Sequence, residues 1–482
     1  MAISLKGDQI ISSVPSTKSK TLRINLNSDI YGTFAEIGAG QETVRNFFRS
    51  GGSSGTIAKA MSAYDKDFSD AIYGEEEDKR YVTESRLTRM LRHEIDLIED
   101  RLSRRKHPDK LFFSYANTVA TINFSKKFKG HGWVGIRFQL DPLEDYNEIV
   151  LHLRFKEIDA KSQQETLGVL GVNLIYGAFY LNDNPKELVK SFYDNLDNDQ
   201  LEIDMVNFSG PRFMYVDNRL MSLQLLKNGM TNAVMFGPDG NNLLPAQVLY
   251  KKNILALRGS FRPVTKVNMD MYEKSKKLFL AENKVKEENT KIIFEITLSN
   301  LRLEGEINER DFLDRAELLC AQGQNVMITN FQQYFKLVEY FSEFTKARMA
   351  LAMGVYNLIQ IFDEKYYRDL SGGVLEAFGK LFYRDLKIYM YPYHDQETGE
   401  YINSENLKVH PRMKELYKFF KNNGKLINID DFDKDILDIF SRKVLDMIVK
   451  GEKGWEGMLP EGISETIKQK RLFGYSRAKA IK

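Results

Sequence analysis

The segment RGSFRPVTKVN, residues 258–268, brings a glycine, an aromatic ring, a proline and basic side chains together. A glycine that follows a strand lets a ligand approach the backbone. The N-terminus of a helix supplies unpaired N–H groups and partial positive charge, which suit a phosphate. Arg262 and Lys266 would add charge-assisted hydrogen bonds. The segment can therefore hold a phosphate, or it can be a structural turn, since Gly and Pro are common in turns for conformational reasons.

The pattern on either side predicts where this segment lies. An apolar run at 254–257 predicts a strand before it, and MDMYEKSKKLFLAE predicts a helix after it. Strand-like and helix-like segments continue to alternate up to residue 391. Such alternation indicates right-handed crossovers and a parallel sheet, which binds ligands beyond the carboxyl ends of its strands. We expect the segment to lie at such an end.

The coarse pattern of the whole chain predicts an α/β fold. The strands predicted in the parallel sheet are 254–258, 291–297, 325–329, 348–353 and 386–391, and the helices are 268–282, 309–322 and 331–345. Upstream, three segments rich in β-branched and aromatic residues predict antiparallel strands between residues 110 and 157. The predicted regions are an extended arm and helices over 1–105, an α+β domain over 106–245, a Rossmann-like domain over 246–400 and a helical tail over 401–482.

Composition excludes several classes of protein. The 482 residues include 69 Lys and Arg against 67 Asp and Glu, a balance that argues against a dedicated nucleic-acid-binding protein. The single cysteine, Cys320, permits no internal disulfide and fits a reducing cytosol. No apolar run reaches the about 18 residues of a membrane-spanning helix, and the first residues lack the apolar core of a signal peptide. We therefore expect a cytoplasmic protein without membrane insertion.

The segment at 258–268 resembles the GxFxPxHxGH signature of the nucleotidyltransferases that adenylylate nicotinate or nicotinamide mononucleotide. Gly259, Phe261 and Pro263 match this signature by position. Thr265 falls on the first histidine, where related nucleotidyltransferases can carry Thr, and Lys266 occupies the variable position. The resemblance implies a Rossmann-like nucleotidyltransferase-type domain.

Two positions depart from the signature. Val267 replaces the last glycine, and Asn268 replaces the second histidine, which in the family helps to stabilise the transferring phosphate. Asparagine can donate a neutral hydrogen bond but brings no positive charge, and a valine side chain crowds the space that glycine leaves open. Arg262 or Arg471 would supplement the lost charge, and Ser260 would join them in contacting the nucleotide.

Two further segments resemble motifs of the same enzymes. GVYNL, which begins at Gly354, is similar to the G-x-D-x-L segment near the nucleotide, with Tyr356 in place of the aspartate and Asn357 beside it. ISETIKQKR loosely resembles the ISSTxIR phosphate-binding segment and matches it at Ser464 and Thr466, although its basic residues are shifted. The whole chain also resembles a bacterial family often labelled nicotinate-nucleotide adenylyltransferase.

The resemblance leaves two readings open. In the first, the protein transfers an adenylyl group from ATP, accompanied by Mg²⁺, to nicotinate or nicotinamide mononucleotide, and Thr265, Lys266 and Asn268 are the catalytic residues. In the second, a non-catalytic relative binds a nucleotide or another phosphate-bearing small molecule as a sensor or a structural subunit. The Phe- and Tyr-rich helical regions at both ends of the chain would supply the contacts of a homo-oligomer.

Other candidate groups lie upstream. The loops NFSGPRF at 207–213 and MFGPDGN at 235–241 each place Gly-Pro after a predicted strand, so a third reading is an enzyme that uses this region, with no reaction type implied. Asp239 could hold a metal or a ribose hydroxyl, or form a Pro-Asp-Gly turn. Asp204 and Glu295 lie within apolar strands, so each is either a site residue or half of an ion pair. The six histidines form no zinc motif.

Overall fold

The computed structural model describes residues 14–476 except 78, 103, 127–128 and 304–305. These residues form two compact units along the chain, which divide between Thr231 and Asn232. We call the first unit 1 and the second unit 2.

Unit 1 is built on a six-stranded mixed sheet in the order β2-β1-β3-β4-β5-β6. Its strands are β1 (Ile30–Ile37), β2 (Ile57–Ala63), β3 (Leu111–Ala120), β4 (His131–Phe138), β5 (Asn147–Phe155) and β6 (Leu201–Ser209). Its helices are α1 (Thr17–Asn25), α2 (Glu42–Ser50), α3 (Lys66–Tyr73), α4 (Glu84–Arg101), α5 (Ala160–Tyr180), α6 (Pro185–Ser191) and α7 (Asn218–Lys227). β1 is parallel to β2 and β3, whereas β3 to β6 pair antiparallel, which confirms the antiparallel strands predicted there.

Two helices flank this sheet and bury its apolar residues. The Asp159 carboxylate accepts a hydrogen bond from the Ser162 amide at the start of α5, which fixes the first turn of that long apolar helix. Thr83 caps α4 in the same way by accepting from the Arg86 amide. Helix α4 packs on β3 and β4, and α5 packs on α2 and β4.

The sequence predicts an extended arm and helices over the first 105 residues, and this is wrong for three elements. The arm contains α1, while β1 and β2 are strands of the sheet rather than helices. β1 is buried at nearly every position, so it lacks the apolar–polar alternation by which a strand is recognised. β2 consists largely of Ala, Lys and Met, which favour helices, and pairing with β1 overrides that preference.

Unit 2 contains an eight-stranded sheet in the order β18-β15-β14-β9-β10-β13-β7-β8. Its strands are β7 (Ala233–Phe236), β8 (Asn242–Leu243), β9 (Asn253–Arg258), β10 (Thr290–Thr297), β13 (Asn325–Thr329), β14 (Met349–Gly354), β15 (Lys387–Tyr391) and β18 (Leu426–Asn428), and its two small ribbons pair β11 (Arg302–Leu303) with β12 (Glu306–Ile307) and β16 (Tyr393–His394) with β17 (Tyr401–Ile402). Its helices are α8 (Pro245–Leu249), α9 (Lys266–Leu280), α10 (Leu298–Leu301), α11 (Glu309–Ala321), α12 (Tyr334–Phe344), α13 (Val355–Ile361), α14 (Gly373–Leu381), α15 (Lys414–Asn422), α16 (Ser441–Lys450) and α17 (Ile463–Lys470).

Six neighbouring strands of this sheet, from β18 to β13, run parallel. Numbered along the chain from β9, they lie in the order 6-5-4-1-2-3, which is the strand order of the Rossmann fold. The predicted α/β class and the Rossmann-like parallel sheet are confirmed at this level.

Two strands of this sheet differ from the prediction. The sequence assigns β7 to the α+β domain, but β7 pairs antiparallel with β13 in unit 2. The tail is predicted to be helical, but it also supplies β18, which extends the parallel edge beside β15. β18 has three residues, too few for a period-two pattern to be visible.

Candidate functional site

The turn after β9 lies at the point where the strand order of unit 2 reverses. β9 has β10 on one side and β14 on the other, and its Leu257 pairs with Ala352 of β14. When this register is carried two residues further, Gly259 is level with Gly354. Since the strands are parallel, both glycines lie at the carboxyl edge of the sheet. Open α/β sheets bind ligands in the crevice outside such a reversal.

The two glycines differ in their surroundings. A Cβ on Gly259 would approach the ring of Phe261 to 2.9 Å, so this glycine is required by the packing of its own turn. A Cβ on Gly354 would meet no heavy atom of the described residues within 4 Å. The space beside Gly354 is therefore open to a ligand.

The buried side chain of Phe261 stabilises the turn. Its ring is buried and lies 5.2 Å from the ring of Phe294. Its φ of +46° is in the left-handed region, which is unfavourable for a residue with a side chain, and the buried ring compensates for that strain. The guanidinium of Arg315 donates to the Ser260 carbonyl at 3.0 Å. Phe261 thus shapes the turn, while the Ser260 side chain is exposed.

Arg262 is engaged in an ion pair. Its guanidinium donates to the carboxylate of Asp311, which also pairs with Arg315. Asp311 and Arg315 are four residues apart on α11, so the pair ties the turn after β9 to that helix. Neither Asp311 nor Arg315 was predicted as part of the site, although their charged i,i+4 spacing is visible in the sequence.

Thr265 and Asn268 form the N-terminal cap of α9. The Asn268 side-chain oxygen accepts from the Thr265 amide at 2.9 Å and from the Thr265 hydroxyl at 3.1 Å. The Thr265 side chain in turn accepts a hydrogen bond from the backbone amide of Asn268, which completes a capping box. A phosphate could be reached by the Asn268 Nδ2 group, since Oδ1 is occupied. Lys266, the first residue of α9, is exposed.

A buried ion pair fixes the strand ends beneath the turn. Arg258 donates to both carboxylate oxygens of Glu295, at 2.5 and 3.0 Å, and to the Gln332 carbonyl at 3.1 Å. Glu295 also accepts from the Thr329 hydroxyl, and the Tyr334 ring lies 4.4 Å from the guanidinium. Glu295 is therefore half of a structural ion pair that joins β9, β10 and β13.

The second and third motif segments lie in different places. Gly354 caps α13, whose first turn carries exposed Tyr356 and half-buried Asn357. The ISETIKQKR segment forms α17, which adjoins α11 through the ion pair of Lys470 with Glu317.

The hydroxyl groups of α17 are used within that helix. Ser464 bonds the Glu465 carboxylate at 3.0 Å, and Thr466 donates to the Gly462 carbonyl at 2.9 Å. Arg471 follows the helix with a left-handed φ of +54°. Over the part of the chain that the structure describes, no hydrogen bond joins these residues to the turn at 259–268.

Unit 1 holds a buried polar network on β4, β5 and β6. His152 Nδ1 lies 2.6 Å from Asp204, and its Nε2 lies 3.4 Å from His131. Arg154 pairs with Asp204 at 3.3 Å and with Glu202 at 2.7 Å. Burial lowers the pKa of His131 to about 4, and nearby His152 contributes to this. Asp204 is thus a partnered carboxylate within a strand.

The Gly-Pro loops are compact turns. Gly210 has a φ of +103°, and a Cβ there would approach Asn147 to 2.6 Å. The Asp239 carboxylate accepts from the Asn241 amide at 3.1 Å and from the Asn241 side chain at 2.8 Å. Both loops therefore have a structural explanation.

A second strand-to-helix corner, which was not predicted from the sequence, lies in unit 1 between β1 and α2. The carboxylate of buried Glu36 accepts from the amides of Thr43 at 3.2 Å and Val44 at 2.9 Å, and from Asn117 at 3.2 Å. Burial raises the pKa of Glu36 to about 7, against the effect of these hydrogen bonds. An acidic residue within an apolar strand was the available signal.

Two features of the described residues concern metals and membranes. Among the described residues, no group of three or more His, Cys, Asp and Glu side chains could hold a metal ion. The same residues include no helix of the length and apolarity needed to cross a bilayer.

Comparisons with known proteins give weak similarities. No protein-family model matches the chain, and no curated protein matches it. A solved structure of Plasmodium falciparum nicotinic acid mononucleotide adenylyltransferase complexed with APC is similar at 13% identity and a TM-score of 0.30, over 47% of this chain and 98% of that one. A competence-damaged protein (CinA) superfamily protein from Enterobacter cloacae is similar at 11% identity and a TM-score of 0.24, over 37% of this chain and 98% of that one.

A third similar structure is the competence/damage inducible protein CihA from Agrobacterium tumefaciens, at 12% identity and a TM-score of 0.24, over 34% of this chain and 97% of that one. TM-scores this low support no argument about the activity of this chain. The interpretation therefore rests on the strand order and on the residues at the carboxyl edge.

Proposed function

We propose that unit 2 binds a nucleotide, or a related phosphate-bearing small molecule, at the carboxyl ends of β9 and β14. The observation that carries this proposal is the pair of glycines, Gly259 and Gly354, at the reversal of strand order, with open space beside the second. The first turn of α9 carries no acidic residue, and exposed Lys266 begins it. These features favour an anion.

The same residues favour binding without adenylyl transfer. Thr265 and Asn268 are bonded to each other as a helix cap, and Arg262 is paired with Asp311. Transfer of a phosphoryl-type group depends on positioned positive charge, and a neutral asparagine supplies none. The non-catalytic reading, a nucleotide-binding sensor or structural subunit, is therefore the one that we propose.

Adenylyl transfer from ATP to nicotinate or nicotinamide mononucleotide is the second candidate. Its support is the resemblance of GSFRPVT and GVYNL to motifs of such enzymes, together with their positions after neighbouring strands. In this reading, Lys266 and the Asn268 Nδ2 group would contact the phosphates, Ser260 would contact the nucleotide, and ATP would bring its Mg²⁺. The protein would act by positioning and by charge stabilisation.

Isothermal titration calorimetry with ATP, ADP, NAD and the two mononucleotides tests binding. We expect at least one of these ligands to bind, and Lys266→Ala to weaken its binding about tenfold or more, because a charge-assisted hydrogen bond contributes about 1.5–3 kcal/mol. Lys277→Ala is the matched control, since Lys277 lies later on α9 and pairs with Asp431. Absence of binding by all five ligands to the folded protein would contradict the proposal.

A pyrophosphate-release assay with ATP, Mg²⁺ and either mononucleotide separates the two candidates. We expect no release above the buffer control. Release that disappears in Lys266→Ala would establish the second candidate instead. We also propose a cytosolic homo-oligomer, which native mass measurement tests directly, since a strict monomer would exclude a structural-subunit role.

A further inference from the structure

We propose that the planar base of the bound nucleotide stacks on the exposed ring of Tyr356, which Tyr393 supports from the side. This inference rests on the proposed nucleotide binding and adds the subsite for the base. Tyr356 stands where the similar motif has an aspartate, and Tyr393 lies outside that motif.

The sheet register places both tyrosines at the edge that carries the two glycines. Gly354, the last residue of β14, pairs with Tyr391, the last residue of β15. Tyr356 lies two residues after Gly354, and Tyr393 lies two residues after Tyr391. The aromatic pair therefore lies beyond the carboxyl ends of β14 and β15, next to the crevice between β9 and β14.

The pair has the geometry of a stacking platform. The two ring centroids are 5.0 Å apart with an interplanar angle of 65°, so Tyr393 meets Tyr356 edge to face. Tyr356 remains 59% exposed, although it is anchored by this contact. The neighbouring Tyr356 side chain raises the pKa of Tyr393 to about 12. An exposed ring whose orientation is already restricted loses little freedom when a base covers it.

The spacing suits one nucleotide. Adjacent parallel strands are about 5 Å apart, and Tyr356 is the second residue of α13 after β14. The Gly259 turn on β9 and the Tyr356 ring are therefore separated by roughly one strand spacing and two residues of chain. A ribose joins a phosphate at the first position to a base at the second. Stacking tolerates any base because every base has a π-face, so this subsite predicts little discrimination between purines.

Another exposed tyrosine provides a matched control. Tyr383 is 54% exposed and precedes β15, so it lies at the opposite, amino edge of the same sheet. If exposure of an aromatic ring on unit 2 were sufficient to bind a base, Tyr383 would serve as well as Tyr356. The position at the carboxyl edge distinguishes the two.

The test compares ADP with inorganic pyrophosphate by calorimetry, because both carry two linked phosphates and only ADP carries a base. We expect Tyr356→Ala to weaken the binding of ADP about tenfold or more, in line with about 1–3 kcal/mol per stacked base. Affinity for pyrophosphate should stay within about twofold, Tyr356→Phe should retain ADP binding, and Tyr383→Ala should change neither ligand.

The outcomes separate this inference from the proposed function. If wild type binds none of the five nucleotide ligands, the proposed function fails and the base subsite fails with it. If both bind and Tyr356→Ala leaves the affinity for ADP unchanged, the base subsite alone is wrong. If Tyr356→Ala weakens the binding of ADP and of pyrophosphate equally, Tyr356 contacts the phosphates or stabilises the carboxyl edge of the sheet. That result also overturns the base subsite.

Discussion

The two units contain comparable corners with opposite electrostatics. In unit 1, β1 leads through a glycine-rich turn into α2, and in unit 2, β9 leads through the Gly259 turn into α9. The first-turn amides of α2 donate hydrogen bonds to the buried carboxylate of Glu36, and Glu42 adds a second acidic group. The first turn of α9 is capped by neutral side chains and begins with Lys266. A helix N-terminus after a glycine therefore indicates an anion site only if no side chain of the protein already accepts hydrogen bonds from its amides.

Each corner also depends on a buried carboxylate, but in a different way. Glu295 is paired with the guanidinium of Arg258, whereas Glu36 accepts hydrogen bonds from neutral donors. Loss of the charge on Glu295 leaves a cation unpaired, and loss of the charge on Glu36 does not. The two tryptophans allow each unit to be followed separately, because Trp133 is in unit 1 and Trp455 is in unit 2.

Glu295→Gln gives the largest expected effect. Arg258 would be left buried without its counter-ion, so the free energy of unfolding of unit 2 should fall by about 3–5 kcal/mol. The change is measured by urea unfolding of Glu295→Gln in a Trp133→Phe background, with Trp455 fluorescence as the signal. The control is Glu287→Ala, whose exposed ion pair with Lys276 should contribute less than about 1 kcal/mol. A Glu295 effect as small as the control would contradict the ion-pair account.

Glu36→Gln tests the corner in unit 1 through pH. Because the folded pKa of Glu36 is raised from 4.5 to about 7, its contribution to stability is full below pH 4.5 and is lost as the pH rises to 7. The difference in unfolding free energy between wild type and Glu36→Gln should therefore fall by about 3 kcal/mol between pH 4.5 and 8. This difference is measured by urea unfolding in a Trp455→Phe background, with Trp133 fluorescence as the signal.

Two features make this pH experiment specific. Glu165→Gln, on the exposed face of α5, should show no such change. The lowered pKa of His131 acts in the opposite direction, since its effect removes stability as the pH falls from 6.5 to 4, and it cancels in the difference between the two proteins. A pH-independent difference would show that folding does not raise the pKa of Glu36.

Serine at Gly259 and at Gly354 gives a smaller contrast. Gly259→Ser should lower the free energy of unfolding by about 1–3 kcal/mol, because its Cβ would press on the ring of Phe261. Gly354→Ser should change it by less than about 0.5 kcal/mol, since the space is open and serine is a favourable helix cap. Equal destabilisation would mean that the crevice beside Gly354 is closed.

Thr265→Ala gives the smallest effect and distinguishes a cap from a catalyst. Loss of an N-cap side chain should lower the unfolding free energy of unit 2 by about 1 kcal/mol, while Lys266→Ala should change it by less than about 0.5 kcal/mol. Thermal and urea unfolding measure both. Unchanged stability of Thr265→Ala, with loss of a pyrophosphate-releasing activity, would contradict the cap interpretation.

The alternation of strands and helices after residue 250 was enough to predict the parallel sheet, because each strand there is a short apolar run between amphipathic helices. The same reasoning missed β1 and β2, since β1 is buried without alternation and β2 is composed of helix-favouring residues. β18 was too short to be visible. Tertiary pairing, which a single sequence does not display, determined these three strands.

The candidate site was predictable in position but not in its contacts. The glycines and Lys266 could be placed at a strand end by pattern alone. That Asn268 caps Thr265 follows from a spacing of three residues, but Asn is not the usual partner in a capping box, so the signal was weak. The pairing of Arg262 with Asp311 joins residues 49 positions apart, which only the folded chain brings together.

Hydrogen–deuterium exchange measured by mass spectrometry, with and without saturating ADP, compares both corners in one experiment. We predict slower exchange in peptides that cover residues 259–268 and 354–357, because bound phosphate and base shield those amides. Peptides that cover residues 37–44 should be unchanged, since Glu36 already occupies the amides of α2. Protection confined to residues 37–44, or no protection at 259–268 when ADP is bound, would contradict the account.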